Sequence, residues 1–128
     1  MILLGKRSPH LDFYPDVWDI IGGHLKLNET PEQTLMRELK EEIGVVPTRY
    51  RKIITLKELN PEIHGDYDYI IYLVTDWLDT PLNLSNEHAK IEWFTIDDAT
   101  ELDLAHPDYR NIFKEISTKP NTDSQRAP

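Results

Sequence analysis

Cysteine is missing from this chain altogether, which excludes disulfides, thiolate metal sites and a cysteine nucleophile and fits a reducing cytoplasm. Long apolar runs are missing too. The densest stretch, Tyr69–Thr75, is strand-sized, well short of the roughly 18 residues a membrane span needs. No basic segment followed by an apolar one marks a secretory signal. Positive charge is in short supply: 14 Lys and Arg stand against 23 Asp and Glu, a net charge of −9. A broad nucleic-acid groove wants a basic face, so this balance argues against one. Acidity by itself serves solubility, and an acidic protein that handles polyanionic small molecules needs a cation to mediate. What is present is ordinary for a soluble globule. The 128 residues, 39% apolar and 29% charged, suffice for one domain with its own core.

Along the chain, Met1–Lys6 (MILLGK) reads as a short apolar strand and Val17–Ile21 (VWDII) as a second, with a turn-rich segment carrying two prolines between them. The second strand runs into Gly22-Gly23, where bare backbone permits special conformations and close approach of a ligand. A helix follows with clear punctuation. Thr30 is the N-cap, Pro31 the first helical residue, Gln33 completes a capping box, and Gly44 is the stop. Strands are expected over Arg51–Leu59 and Tyr67–Asp76, joined by the polar loop NPEIHGD, and over Lys90–Thr95. Ile96–Leu102 holds a helical turn, and Pro107–Ile116 reads as an amphipathic helix. The order implies an α+β fold, a mixed β-sheet between helices. The domain is expected over residues 1–116, and residues 117–128, with little to bury, as a disordered tail.

The helix poses an electrostatic problem. Leu35, Met36, Leu39 and Ile43 form its apolar stripe, and Glu38, Glu41 and Glu42 fall on a second arc beside that stripe. Like charges three or four residues apart destabilise a helix by roughly 0.2–0.5 kcal/mol per pair. The last turn is also the negative end of the helix dipole. Hard divalent cations such as Mg²⁺ or Mn²⁺ want oxygen ligands of this kind, so the cluster is understandable if cations relieve it.

Gly23, Glu29 and then Arg37-Glu38-Leu39-Lys40-Glu41-Glu42-Ile43-Gly44-Val45 fill every fixed position of a pattern that resembles the Nudix box, GX5EX7REUXEEXGU with U a bulky aliphatic. The resemblance extends to the Gly22-Gly23 approach and a C-terminal Glu…Trp element. It implies a Nudix-type α/β/α sandwich that hydrolyses a nucleoside diphosphate linked to another group, by attack of a metal-activated water on phosphorus. Position by position, it implies Glu41 and Glu42 as principal ligands of Mg²⁺ or a substituting Mn²⁺. Glu38 is a further ligand or the general base, and the Gly22 carbonyl completes the metal shell. Arg37 pairs with Glu29 to hold the loop over the helix, a supporting role that makes Glu29 structural, as are Gly23 and Gly44.

Glu87, six residues before Trp93 in SNEHAKIEW, matches the offset of a loop glutamate in MutT-like Nudix hydrolases and is expected to bind metal or act as base. His24 and His88 are read as exposed polar surface rather than phosphate contacts. Trp18, Tyr69, Tyr72 and Trp93 are candidates to stack on a purine, against the ordinary alternative of core aromatics. Asp108 lies where the family places a base-contacting polar residue, against the alternative of helix capping. Two departures stand out. Ile21 replaces the usual proline before the double glycine. The strand that precedes MILLGKRS in the family pattern is short or missing, so a truncated start, a start assigned downstream of the true one, or an edge completed by a second copy are all carried, with monomer and homodimer both open. The leading expectation is a cytoplasmic Mg²⁺-dependent enzyme that converts nucleoside triphosphates, or oxidised ones such as 8-oxo-dGTP, to monophosphate and pyrophosphate. The alternatives are an ADP-ribose or nucleotide-sugar pyrophosphatase and a non-enzymatic nucleotide-sensing module; RNA decapping is disfavoured by the charge.

Overall fold

The structure, a computed structural model, describes residues 1–22 and 26–118. The chain divides into two compact units, one formed by Met1–Ile21 with the chain from Ser85 onward, the other by Gly22–Leu84.

In the first unit β1 (Ile2–Arg7) is the middle strand of an antiparallel sheet in the order β2–β1–β5. Its partners are β2 (Trp18–Asp19) and β5 (His88–Phe94). The β1–β5 ladder runs from Ile2 opposite Phe94 to Arg7 opposite His88, so β5 starts two residues earlier than its composition indicated. β2 is shorter than the expected Val17–Ile21. Asp19 Oδ1 accepts the Ile20 N–H at 2.8 Å, which takes that donor from the ladder and ends the strand. A parallel bridge between Trp18 and Leu104 makes the pairing mixed. α3 (Ile96–Thr100) is capped by Thr95, whose hydroxyl accepts from the Asp98 N–H at 3.1 Å. α4 (Tyr109–Thr118) buries Tyr109, Ile112 and Phe113, an i, i+3, i+4 stripe, and with Leu4 and Ala99 they form this unit's core. The helix begins at Tyr109 rather than Pro107, because the Tyr109 N–H still turns back to the His106 carbonyl at 3.2 Å. It also continues through Ser117 and Thr118, into the expected tail; the rest of that tail, residues 119–128, lies outside the described residues.

In the second unit α1 (Pro31–Ile43) packs on β3 (Val46–Lys57), which pairs antiparallel with β4 (Asp68–Leu78). β3 starts at Val46, five residues ahead of the expected Arg51; irregularities between Pro47 and Tyr50 and again between Lys52 and Ile54 break the period of two that marks a strand in sequence. The NPEIHGD loop contains a short helix, α2 (Pro61–His64). Its anchor is buried Glu58, which accepts hydrogen bonds from the Tyr69 hydroxyl and from the Asn60 N–H at 2.9 Å, with His64 Nδ1 at 3.2 Å. A buried carboxylate needs such partners. Leu39, Ile43, Val45, Leu56 and Ile71 are this unit's buried apolar residues. Leu35 and Met36, expected in the α1 stripe, are only half-buried, while Thr34 and Glu42 are buried beside Leu39 and Ile43.

Candidate active site

The site is built on α1, and short-range chemistry sets its ends. The Thr30 hydroxyl accepts the Gln33 N–H at 3.2 Å, and Gln33 Oε1 accepts the Thr30 N–H at 2.9 Å, a complete capping box. Gly44 ends the helix at φ 73°, a left-handed conformation that favours glycine, with its N–H on the Lys40 carbonyl at 3.1 Å. The last two carbonyls of the helix are taken by a distant segment: the Leu82 N–H donates to Ile43 O at 3.0 Å and the Leu84 N–H to Glu42 O at 2.8 Å. Those two N–H groups stand at the negative end of the helix dipole, where they offset part of the charge that Glu41 and Glu42 meet there.

Arg37 is the centre of charge on this helix. Its Nε and Nη2 fork onto the two Glu29 oxygens at 2.6 and 3.0 Å. Its Nη1 reaches Glu38 Oε1 at 2.7 Å and Glu41 Oε2 at 3.3 Å. Glu29 is also an acceptor for the Lys26 N–H at 2.9 Å and the Thr34 hydroxyl at 2.8 Å. The Arg37 fork, then the Lys26 N–H, hold the Glu29 carboxyl at about 2 against an ordinary 4.5. Glu29 and Glu38 in turn raise Arg37, which stays protonated. Because ionised Glu29 is favoured in the folded chain, its contribution to stability is complete above pH 4.5 and is lost as the pH falls through about 2. The melting temperature should therefore drop between those two pH values, and Glu29→Gln should flatten that drop. Equal acid sensitivity of the two proteins would dismiss the assignment.

Glu38, Glu41 and Glu42 differ in exposure. The Glu38 side chain is 14% exposed and that of Glu41 56%, while Glu42 is 5% exposed as a residue. In chemistry the set suits a hard divalent cation, since all the donors are carboxylate oxygens at i, i+3 and i+4 on one helix. Among the described residues, however, no three His, Asp or Glu side chains are gathered closely enough to hold a metal. Within this unit the Arg37 Nη1 draws Glu38 and Glu41 to itself. Gly22, at φ 151°, adopts a backbone conformation that side chains disfavour, and an added Cβ there would meet nothing within 4 Å. Gly23 and His24 lie outside the described residues.

A match to the NUDIX domain model runs over residues 1–116. The chain belongs to the NUDIX domain family. An 8-oxo-dGTP diphosphatase of Proteus vulgaris is 43% identical over 60 residues, a match covering 47% of this chain and 52% of that protein. The nucleoside triphosphatase NudI of an Enterobacter species is 31% identical over 111 residues, covering 80% of this chain and 78% of that one. In structure, the MutT NUDIX hydrolase of Burkholderia pseudomallei superposes with a TM-score of 0.71 at 24% identity, over 89% of this chain and 85% of that chain. That likeness establishes the α+β Nudix fold.

The remaining candidates of this Nudix chain fall in both units. Tyr72 on β4 is half-buried and meets Tyr50 edge-on at 5.8 Å; burial first, then Glu32 and Tyr50, push its hydroxyl up. In the other unit, Trp18 is half-buried against Phe94 at 4.9 Å, with Lys90 Nζ 5.5 Å from its ring centre. Asp108 is exposed and its N–H donates to His106 Nδ1 at 3.1 Å, in the turn that starts α4. Trp93 is exposed on β5, and Tyr69 serves Glu58. His88, expected at the surface, is buried: it faces Gly5, where an added Cβ would come within 2.5 Å of His88 Nδ1. Glu87 is exposed on the loop before β5.

A second charged network escaped the sequence reading. Asp19 accepts from the Tyr109 hydroxyl at 2.8 Å and lies 3.4 Å from Arg7. Burial pushes its carboxyl up, against the pull of Tyr109 and Arg7. Arg7 also donates to the carbonyls of Phe13 and Tyr14, bracing a loop in which Tyr14 and Asp16 adopt positive φ. These contacts join residues far apart in the chain, and no local pattern announces them.

Proposed function

We propose that this Nudix hydrolase converts nucleoside triphosphates, with oxidised purine forms such as 8-oxo-dGTP as leading candidates, to the monophosphate and pyrophosphate. The reading is carried by one observation: α1 presents three carboxylates at i, i+3 and i+4 beside a fixed Arg37–Glu29 pair. Enzymes of this family generally use a divalent metal, and Glu38, Glu41 and Glu42 would hold Mg²⁺, with Mn²⁺ as a substitute and the Gly22 carbonyl as a further donor. When bound, such a cation would offset charge on the diphosphate and lower the pKa of the attacking water. The water oxygen forms a new bond to phosphorus, a phosphoanhydride P–O bond breaks, and pyrophosphate leaves. Glu38 bonds Arg37 through Oε1, and its Oε2 is the atom proposed to take the water's proton; Glu87 is the other candidate for that task. Arg37 keeps Glu29, and with it the loop before α1, in place. Trp18, Tyr72 and Asp108 are the candidates for contact with the base. The names of the Proteus and Enterobacter relatives support the triphosphate reading over its competitors.

The test is a substrate panel with Mg²⁺: 8-oxo-dGTP, unmodified nucleoside triphosphates, ADP-ribose, diadenosine polyphosphates and NADH, with products separated by ion-exchange chromatography. Monophosphate and pyrophosphate from the triphosphates, at the highest kcat/KM of the panel, is the expected outcome. Preferential cleavage of ADP-ribose would replace this substrate assignment. Turnover of none, with metal bound, would make the chain a sensing module.

A further inference from the structure

We infer that Ser8 is a positioning residue for Glu87, holding the loop backbone that carries this glutamate; the inference rests on the functional reading of Glu87 given above. Ser8 directly follows β1 and is buried. Its hydroxyl donates to the Asn86 carbonyl at 2.7 Å, and its N–H donates to the Glu87 carbonyl at 2.9 Å. From the other side, the Glu87 N–H donates to Ser85 Oγ at 3.1 Å. Both ends of the Glu87 backbone are therefore tied, and so is the carbonyl before it. The next residue, His88, is buried and locked in register with Arg7. The space at Gly5 is what admits the His88 ring.

The carboxylate itself is treated in the opposite way. Glu87 is exposed, and among the described residues its side chain makes no hydrogen bond and no ion pair. A glutamate that served only solubility gains nothing from a backbone fixed at three points. A glutamate that must meet a substrate or cation gains a great deal, because orientation fixed in advance need not be won at each turnover. A buried serine is well suited to the task, since one residue supplies two donors to successive carbonyls at almost no side-chain entropy. Nothing in the sequence announces this, because Ser8 and Glu87 are distant in the chain and a serine before a proline reads as an ordinary turn.

The competing role for Ser8 is simple closure of the β1–β5 ladder, and a double-mutant cycle separates the two. With Mg²⁺ and 8-oxo-dGTP, Ser8→Ala should lower kcat by about five- to tenfold with KM within about twofold, and Ser8→Thr, which restores the hydroxyl, should recover most of it. In a Glu87→Gln background, Ser8→Ala should cost nothing further. A second readout needs no substrate. In the metal-free protein the backbone order parameter of Glu87 should fall from roughly 0.85 toward 0.6 in Ser8→Ala, with α4 unchanged. If Ser8→Ala lowers kcat equally in both backgrounds, or leaves kcat and the Glu87 order parameter at parental values, Ser8 does not act through Glu87, and the role of Glu87 itself stands. If Glu87→Gln keeps parental kcat, the reading of Glu87 fails and the inference falls with it. Should Ser8→Ala not fold, Ser85→Ala, at the other end of the tether, carries the same comparison.

Discussion

Glu42→Gln should abolish Mg²⁺-dependent turnover, lowering kcat by about 10³-fold or more, while the fold survives. Glu42 is buried on α1 next to Leu39 and Ile43, and the amide keeps the shape of the side chain while removing the charge proposed to hold the cation. Glu41→Gln should give a comparable loss of activity with little change in stability, since its side chain is 56% exposed. Initial rates across a Mg²⁺ titration, paired with thermal melts, measure both. Near-parental activity in either variant would remove that glutamate from the proposed metal set.

Arg37→Ala should be damaging too, to a smaller degree and by a different route. It strips the fork from Glu29 and a donor each from Glu38 and Glu41 at once. Five carboxylates, Glu29, Glu32, Glu38, Glu41 and Glu42, then share the helix and its preceding loop with no guanidinium among them. Activity is expected to fall by about 10–100-fold, the range for a group that orients metal ligands without being one, and the urea midpoint should fall as well. Arg37→Lys keeps the charge but cannot fork, so it should recover part of the stability and little of the activity. A lysine variant with full activity would reduce Arg37 to a point charge, and the geometric role argued for it would be lost.

What was legible in the sequence follows the range of the interactions involved. α1 could be read almost to the residue, because Thr30, Pro31, Gln33 and Gly44 act on their near neighbours. The pairing of Arg37 with Glu29 was legible through the Nudix resemblance; its reach to Glu38 and Glu41 was not, because spacing says nothing about where a long side chain turns. β3 was read late because Pro47 and the bulges hide its alternation. Ile20 was counted as strand until Asp19 claimed its N–H. His88 was read as surface because histidine usually is, and only the strand register against a side-chain-free Gly5 makes room for it inside. Ser8, Glu58 and Asp19 share the same reason for having been missed: each is defined by partners that the chain reaches only after folding.

The bonds from Leu82 and Leu84 to the last carbonyls of α1 bear on when an entropic cost falls due. A helix end without tertiary partners frays, and a cation arriving there must order the final turn before that turn can grip it. Here the ordering is completed once, during folding, by backbone that lies well downstream of the glutamates. If a cation and a diphosphate bind there as proposed, only side-chain rotations would be left to arrange, and the segment around Leu82 would belong to the binding energetics.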